Sequence, residues 1–322
     1  MRNVIRIAGL GVALLLALAP FYWMAIVSLS AGAEQITLGN PWVLHAAPYF
    51  GNYLDLFTSA RFGRWMLNTL LVTGGTGALG RQVVKRLLDT GHRARILSRR
   101  PAENKAGDWV QGDLVTGAGL ELAVKNVSAI VHAASDPLSP RKYEATDVLG
   151  TRRLLAMARE AGVRHVVYIS IVGMEGVAYP YYRSKLAAEE VMRENIVPWS
   201  ILRATQFHTL MDIFLDGMSK LPRLATVPFK WQFQPVDTTD VAARLVEVVT
   251  GEPAGMLPDF GGPEVRDFKS IAESWRRAKG IAKPMLYLPL PFKASRQFAA
   301  GHLLCPEHRD GKITFEQYLE RE

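Results

Sequence analysis

Residues 69–80 constrain this chain more than any other stretch. Thr69-Leu70-Leu71-Val72-Thr73 is a short apolar run of β type, and Gly74-Gly75-Thr76-Gly77-Ala78-Leu79-Gly80 follows at once. Gly74, Gly77 and Gly80 form G-x-x-G-x-x-G. The next residues, Arg81 to Leu88, have helical spacing that Gly91 ends. Glycines permit a sharp strand-to-helix turn and let a pyrophosphate approach the backbone. The helix N-terminus then offers free N–H groups and the positive end of its dipole. A glycine motif alone is a weak signal. A strand before it, a helix after it and a second strand about 20 residues on make it specific. Gly74, Thr76, Gly77, Ala78, Leu79 and Gly80 are therefore expected to contact a dinucleotide.

The second strand is Arg93-Ala94-Arg95-Ile96-Leu97-Ser98. A site for NAD usually has an acid at this strand's end, bonding the ribose 2′-hydroxyl. Here Ser98-Arg99-Arg100 stands instead. Guanidinium groups suit a 2′-phosphate through charge-assisted, often bidentate bonds. NADP is expected in preference to NAD, with Ser98 and Arg99 as contacts and Arg100, before Pro101, as the solvated arginine. A third strand runs Trp109 to Leu114, with Asp113 and Leu114 at the cofactor. Asp113 either accepts from the adenine amino group or caps a helix. Val127–Ser135 reads as a fourth strand. Its Ala133 and Ala134 leave room for cofactor, and His132 reads as a packed strand histidine. Gly150-Thr151 opens the helical run 152–161, and Arg164–Ser170 is a fifth strand. Alternating strands and helices predict an α/β fold, a doubly wound parallel sheet with its site at the carboxyl ends of the strands.

The next helix begins Tyr181-Tyr182-Arg183-Ser184-Lys185. Tyr181 and Lys185 are four apart, so both lie on one helical face. A lysine cation near a phenol is expected to lower its pKa and to bond a nicotinamide ribose. The phenol then exchanges the proton that accompanies hydride transfer at a carbonyl. Tyr181 is preferred to Tyr182 for this role. Ser170, ending the fifth strand, is placed as a helper.

Together these residues resemble the short-chain dehydrogenase/reductase superfamily, and within it the atypical, NmrA-like NAD(P)-binding branch. Tyr168-Ile169-Ser170-Ile171-Val172-Gly173, Pro180-Tyr181-Tyr182 and Leu202-Arg203-Ala204-Thr205-Gln206-Phe207 carry the likeness, which extends from 69 to about 290. It implies a Rossmann fold, NAD(P) binding, and reductase or epimerase chemistry on a small-molecule substrate. Two positions depart from the pattern. The superfamily usually has a hydroxyl two positions beyond the first serine of the fifth strand, where Val172 stands. Its asparagine ahead of the Gly-Thr pair is Asp147. An incomplete constellation keeps a second reading open, an NADP-binding sensor without turnover.

Trp199–Arg203 reads as a sixth strand. Beyond it Phe207, His208, Met211, Phe214, Met218 and Leu221 suggest an apolar segment over the cofactor, with His208 as its polar group of interest. Asp237 or Thr239 caps a helix. Asp259–Glu264 is a turn, and Phe268–Gly280 another helix. His302, Cys305 and His308 lie close together, but no further ligands accompany them and no metal site is expected. Cys305 is the chain's one cysteine, which excludes an internal disulfide.

The first 68 residues are of another kind. Their charged residues are Arg2, Arg6, Glu34, Asp55, Arg61 and Arg64 alone, so the net charge of +8 falls mostly on 69–322. No dense basic run occurs in either part, and nucleic-acid binding is not expected. Ile7 to Leu29 carries no charge and would span roughly 34 Å as a helix, enough for the hydrocarbon core. A single-pass membrane helix is therefore expected at the N-terminus. A cleaved signal peptide ending at Ala31-Gly32-Ala33 and a buried helix are the alternatives. Pro20-Phe21-Tyr22-Trp23, Ser28-Leu29, Asn52-Tyr53 and Phe62-Gly63-Arg64-Trp65 with Asn68-Thr69 resemble the first helix and loop of a carbohydrate ABC-transporter permease. The long helices and coupling loop of that family do not follow. The expected organisation is thus a membrane piece, 1–68, and an NAD(P)-binding domain with a C-terminal substrate region, 69–322. Arg2 and Arg6 would place the domain outside the cytoplasm, away from NADP. Inverted insertion, a fusion of unrelated pieces, or a shorter product starting at Met66 would each resolve that conflict, and fusion is the leading expectation.

Overall fold

The computed structural model describes residues 17–30, 48–58, 69–100, 107–220, 225–282 and 284–321. The chain divides into two compact units, 1–67 and 68–322.

In the first unit, residues 17–28 are helical and a second helix spans Gly51–Thr58. The Asn52 side-chain amide donates to the carbonyls of Ser28 (3.1 Å) and Ser30 (2.9 Å), and the Tyr53 hydroxyl donates to Ser28 Oγ at 2.7 Å. The two Asn52 bonds satisfy carbonyls at and just beyond the helix end, where intrahelical partners run out. Among the described residues no helix is long and apolar enough to cross a membrane. This overturns the single-pass membrane helix and the membrane location expected from 7–29. Residues 7–16, 31–33, 62–65, 66–68 and Leu221, on which parts of the sequence reading fell, lie outside the described residues.

The second unit is a Rossmann-type α/β fold. Its strands are β1 (Thr69–Thr73), β2 (Arg93–Ser98), β3 (Asp108–Gln111), β4 (Val127–His132), β5 (His165–Ile171) and β6 (Trp199–Ala204). With a short seventh strand, Gly255–Met256, they form one sheet in the order β3-β2-β1-β4-β5-β6-seventh. Every pairing is parallel. The order reverses between β1 and β4, which opens a crevice at their carboxyl ends. Among the described residues the helices are α1 (Ala78–Asp89), α2 (Leu120–Val124), α3 (Gly150–Glu160), α4 (Pro180–Arg193), α5 (His208–Ser219), α6 (Thr238–Thr250), α7 (Phe268–Ala278), α8 (Lys293–Ala299) and α9 (Phe315–Leu319).

Both faces of the sheet are covered. Leu70 and Val72 of β1 pack with Val83, Val84 and Leu87 of α1 and with Val241, Leu245 and Val249 of α6. Leu71 turns the other way, toward Leu154 and Leu155 of α3 and Ala188 and Met192 of α4. Two buried faces explain why β1 reads as a continuous apolar run and not as an alternation. A third cluster gathers Tyr182, Met211, Phe233, Phe268, Trp275, Leu303 and Phe315 from α4, α5 and the C-terminal segments. Fully burying a side chain of this kind contributes about 1.5–3 kcal/mol, so the C-terminal region has a core of its own. α6 starts at Asp237, whose Oδ1 accepts the Thr239 N–H at 2.7 Å. Asp237 and not Thr239 is thus the cap.

Candidate active site

The glycine loop joins β1 to α1 under tight restraint. Gly74 has φ +70°, and a Cβ there would lie 2.7 Å from the Ala133 carbonyl oxygen and 2.8 Å from Ala134 Cα. A Cβ on Gly80 would lie 2.1 Å from Gly74 O and 2.7 Å from Gly75 Cα. These two glycines hold the loop against the end of β4 and against α1. Gly77 differs. It is exposed, with extended backbone (φ −77°, ψ 172°), and caps α1 without a side chain. The first-turn N–H groups of α1 therefore keep their capacity for an anion. Thr76 is exposed beside it, Ala78 is half-buried, and Leu79 belongs to the core. The loop has the form a dinucleotide pyrophosphate requires.

At the end of β2, the buried Ser98 Oγ accepts the Arg100 N–H at 3.1 Å, and Arg99 is exposed. Among the described residues no acid ends that strand. Asp113 is not the cap of a helix. Its Oδ1 accepts the Val115 N–H at 2.9 Å, closing a local turn, while Gly119 is the cap of α2. Leu114 is buried in the core under α3. Ala133 and Ala134 are half-buried where β4 leaves the sheet, and Ala134 N–H donates to Thr73 Oγ1 at 3.3 Å.

Tyr181 and Lys185 lie in the first turns of α4, four residues apart. The phenol meets Ser135 Oγ at 2.9 Å, and Ser135 Oγ donates to Asp147 Oδ1 at 2.7 Å. The Tyr181 ring also packs on Tyr143, centroid to centroid 5.2 Å. Lys185 is buried. Its Nζ donates to the Ile169 carbonyl at 2.9 Å and stands 4.1 Å from the centre of the Tyr168 ring. Burial pushes its pKa down to about 8, opposed by the charges of Asp147 and Glu189. The phenol behaves otherwise than the sequence suggests. Burial and then the Asp147 charge push Tyr181 above the ordinary phenol value, and the Ser135 hydrogen bond opposes them. Lys185 is held at Ile169 and Tyr168, so the expected lowering does not occur. Tyr181 is thereby held further from ionisation than an ordinary phenol.

Ser170 is buried at the end of β5, and its hydroxyl turns to Met174 Sδ at 3.9 Å. The structure thus brings Ser135, not Ser170, to Tyr181. Ser135 is the neighbour of Tyr181 that sequence reasoning missed, and Asp147, noted there only as a departure from the family's asparagine, is joined to it. The available signal was that Ser135 follows the small pair Ala133-Ala134 at a crevice. His132 is fully buried in a structural role. Its Nδ1 meets Thr73 Oγ1 at 2.7 Å and its Nε2 meets Thr151 Oγ1 at 2.9 Å. His208 packs away from the phenol. Its Nε2 meets the Ile313 carbonyl at 2.9 Å and its ring stacks on Tyr318. Among the described residues no group of three or more His, Cys, Asp or Glu could hold a metal. Cys305 is buried, and burial pushes its thiol up to about 12.

A glycine-bound helix N-terminus at the switch point of a parallel sheet, with a tyrosine and a lysine on the same crevice, defines a Rossmann-type dinucleotide-binding protein. Residues 74–251 match the model of the family described as NAD(P)H-binding. The chain belongs to that family and, with it, to the atypical short-chain dehydrogenases/reductases. It is 30% identical over 234 residues to a (4-alkanoyl-5-oxo-2,5-dihydrofuran-3-yl)methyl phosphate reductase of Streptomyces griseus, covering 70% of this chain and 79% of that one. It is 39% identical over 225 residues to a Synechocystis protein provisionally named dihydroflavonol 4-reductase, covering 66% and 65%. Among solved structures, MoeE5 with UDP-glucose and NAD superimposes with TM-score 0.63 at 20% identity, covering 79% and 96%. A Thermus thermophilus UDP-glucose 4-epimerase with NAD gives TM-score 0.61 at 19% identity, covering 78% and 96%. Likeness at that identity shows the fold. The family match begins at residue 74, so the permease-like stretch 1–68 lies outside it.

Proposed function

We propose that this protein is an NADP-dependent reductase of a carbonyl-like small molecule. The observation that carries the reading is the half-buried phenol of Tyr181, bonded to Ser135 where β4 leaves the sheet beside the glycine loop. When bound, the dinucleotide supplies hydride. The chain's own residues do the rest. The α1 N-terminus and the glycine loop hold the pyrophosphate. Arg99, where an acid would repel it, pairs with a 2′-phosphate. Tyr181 gives its proton to the carbonyl oxygen, and Lys185 fixes the end of β5 through the Ile169 carbonyl. The named reductases among the relatives support the same direction of chemistry.

Thermal shift with NADPH and NADH tests the first half. A cofactor at 100 times its Kd stabilises by about 2.7 kcal/mol, and NADPH is expected to act at lower concentration than NADH. Stabilisation by neither would sink the assignment. Turnover on a carbonyl panel tests the second half. Tyr181→Phe should lower kcat by roughly 10²- to 10⁴-fold while NADPH still binds. If NADPH binds and no carbonyl is reduced by the natural protein, the sensor reading, to which Val172 points, replaces the reductase.

A further inference from the structure

Behind Tyr181 stands a carboxylate that the proposed reaction has not yet used. Asp147 is 1% exposed. Its Oδ1 accepts from Ser135, and its Oδ2 has no hydrogen-bond partner among the described residues. The backbone that carries it is unusual. Glu144–Leu149 is a π-helical turn leading into α3, a form often found at functional sites. The Asp147 carbonyl there accepts from Thr151 Oγ1, which is itself bonded to His132. The turn is thus anchored from below, and the Asp147 side chain reaches Ser135.

We propose that Ser135 and Asp147 are positioning residues for proton transfer at Tyr181: Ser135 supplies the hydroxyl that Val172 removes from β5, and Asp147 sets which way the hydrogen-bond chain points. The proposal rests on the reductase reading. With Asp147 ionised, Ser135 must donate to it, so Tyr181 donates to Ser135. The phenol proton then points away from a substrate in the crevice. With Asp147 protonated, the chain reverses. The carboxylic acid donates to Ser135, Ser135 donates to Tyr181, and the phenol proton is free to point at a carbonyl oxygen. The proton balance closes along the same chain. Tyr181 loses its proton to the substrate oxygen and takes one from Ser135, Ser135 takes one from Asp147, and Asp147 is recharged from water.

The surroundings of Asp147 bear on its titration. Lys185 and Tyr181 act from α4, Asp136 from the segment after β4, Tyr168 from β5 and Tyr143 from the turn before the π-helix. Burial raises the carboxyl above its usual range. The Lys185 charge and the Ser135 hydrogen bond pull it back, and Asp136 adds to the rise.

Two measurements on the full chain test this. Infrared spectra of the ligand-free protein follow the Asp147 carbonyl stretch, assigned by its loss in Asp147→Asn. Its midpoint should lie above the usual carboxylate range and move upward in Ser135→Ala, which removes a donor to the charged form. A midpoint that does not move overturns the coupling. Reductase pH profiles follow the consequence. The natural protein's kcat should fall as pH rises through the Asp147 midpoint, and Asp147→Asn should abolish that limb. Ser135→Ala should lower kcat by roughly 10- to 100-fold with KM little changed, as expected for an interaction made in the transition state. Ser135→Thr should restore most of it. A limb that persists in Asp147→Asn, or a Ser135→Ala effect confined to KM, overturns the proposal. If no carbonyl is turned over at all, the reductase reading fails on its own, and the infrared midpoint still decides the coupling.

Discussion

The glycine loop permits a paired test, because two of its glycines are required for different reasons. A Cβ on Gly80 would sit 2.1 Å from Gly74 O, 2.6 Å from Gly74 C and 2.7 Å from Gly75 Cα. All three are backbone atoms, so no side chain can swing aside, and α1 must back away from the loop. Forced overpacking of this kind costs typically 1–3 kcal/mol. For a unit of this size each kcal/mol moves Tm by roughly 2–4 °C. Gly80→Ala should therefore lower Tm by several degrees with no ligand present. A Cβ on Gly77 meets only Gly74 O, at 3.3 Å, and the backbone there is extended. Gly77→Ala should change Tm little, since a cap position tolerates the swap at about 1 kcal/mol or less. Its methyl instead stands where a pyrophosphate would approach. NADPH affinity, read by nucleotide fluorescence, should fall at least about tenfold, or about 1.4 kcal/mol. An unchanged Tm for Gly80→Ala would refute the packing argument. Unchanged NADPH affinity for Gly77→Ala would refute the seat of the pyrophosphate at the α1 N-terminus.

Three further outcomes follow from the same structure. Arg99→Ser should weaken NADPH by roughly tenfold, the worth of one charge-assisted pair, and leave NADH unchanged; titration with both cofactors reads the difference. Glu189 is fully buried and binds Arg203 through Nε (2.8 Å) and Nη2 (2.7 Å) and Arg193 at 2.8 Å. Glu189→Ala leaves a largely buried guanidinium without its main partner, at about 3–5 kcal/mol, nearer the lower end because Glu175 remains at 2.6 Å from Arg203; urea midpoints measure it. His132 is held neutral, its pKa pushed down to about 3 by burial and then by Lys185. The unfolded chain binds this proton below about 6.5, so the contribution is complete above that pH. It is lost on acidification toward 3, by up to about 1.4 kcal/mol per pH unit. His132→Gln should flatten that acid slope, and an unaltered slope would mean that other groups carry it.

The fold was legible because its signals are local. β1, the glycine loop and α1 are contiguous, and each glycine answers a constraint within a few residues. The limits of β1 and β2 can be read directly, because Thr73 and Ser98 end apolar runs. β4 shows where such reading stops. The apolar pattern continues to Ala134, yet pairing with β5 ends at His132, since the next residues must turn aside at the switch point. The seventh strand, Gly255–Met256, has no strand pattern at all. It exists because Ser200 and Ile201 offer it a parallel edge. The membrane reading rested on absence of charge alone, and among the described residues no helix is long and apolar enough to cross a membrane.

The site divides along the same line. Tyr181 and Lys185 share a helix, so their spacing reveals them. Ser135 lies 46 positions from Tyr181 and becomes its partner only when β4, the π-helical turn and α4 meet. A lysine four residues from a tyrosine suggests direct coupling of their charges, but burial acts on both and opposes ionisation of each. It lowers the lysine and raises the phenol, and the Asp147 charge raises both. Were Asp147 an asparagine, as the family pattern prefers, Lys185 would lose a stabilising charge and Tyr181 an opposing one. Both pKa values would then fall. The charge at 147 therefore raises lysine and phenol together, whereas turning the Tyr181 proton toward a substrate needs the neutral form of Asp147.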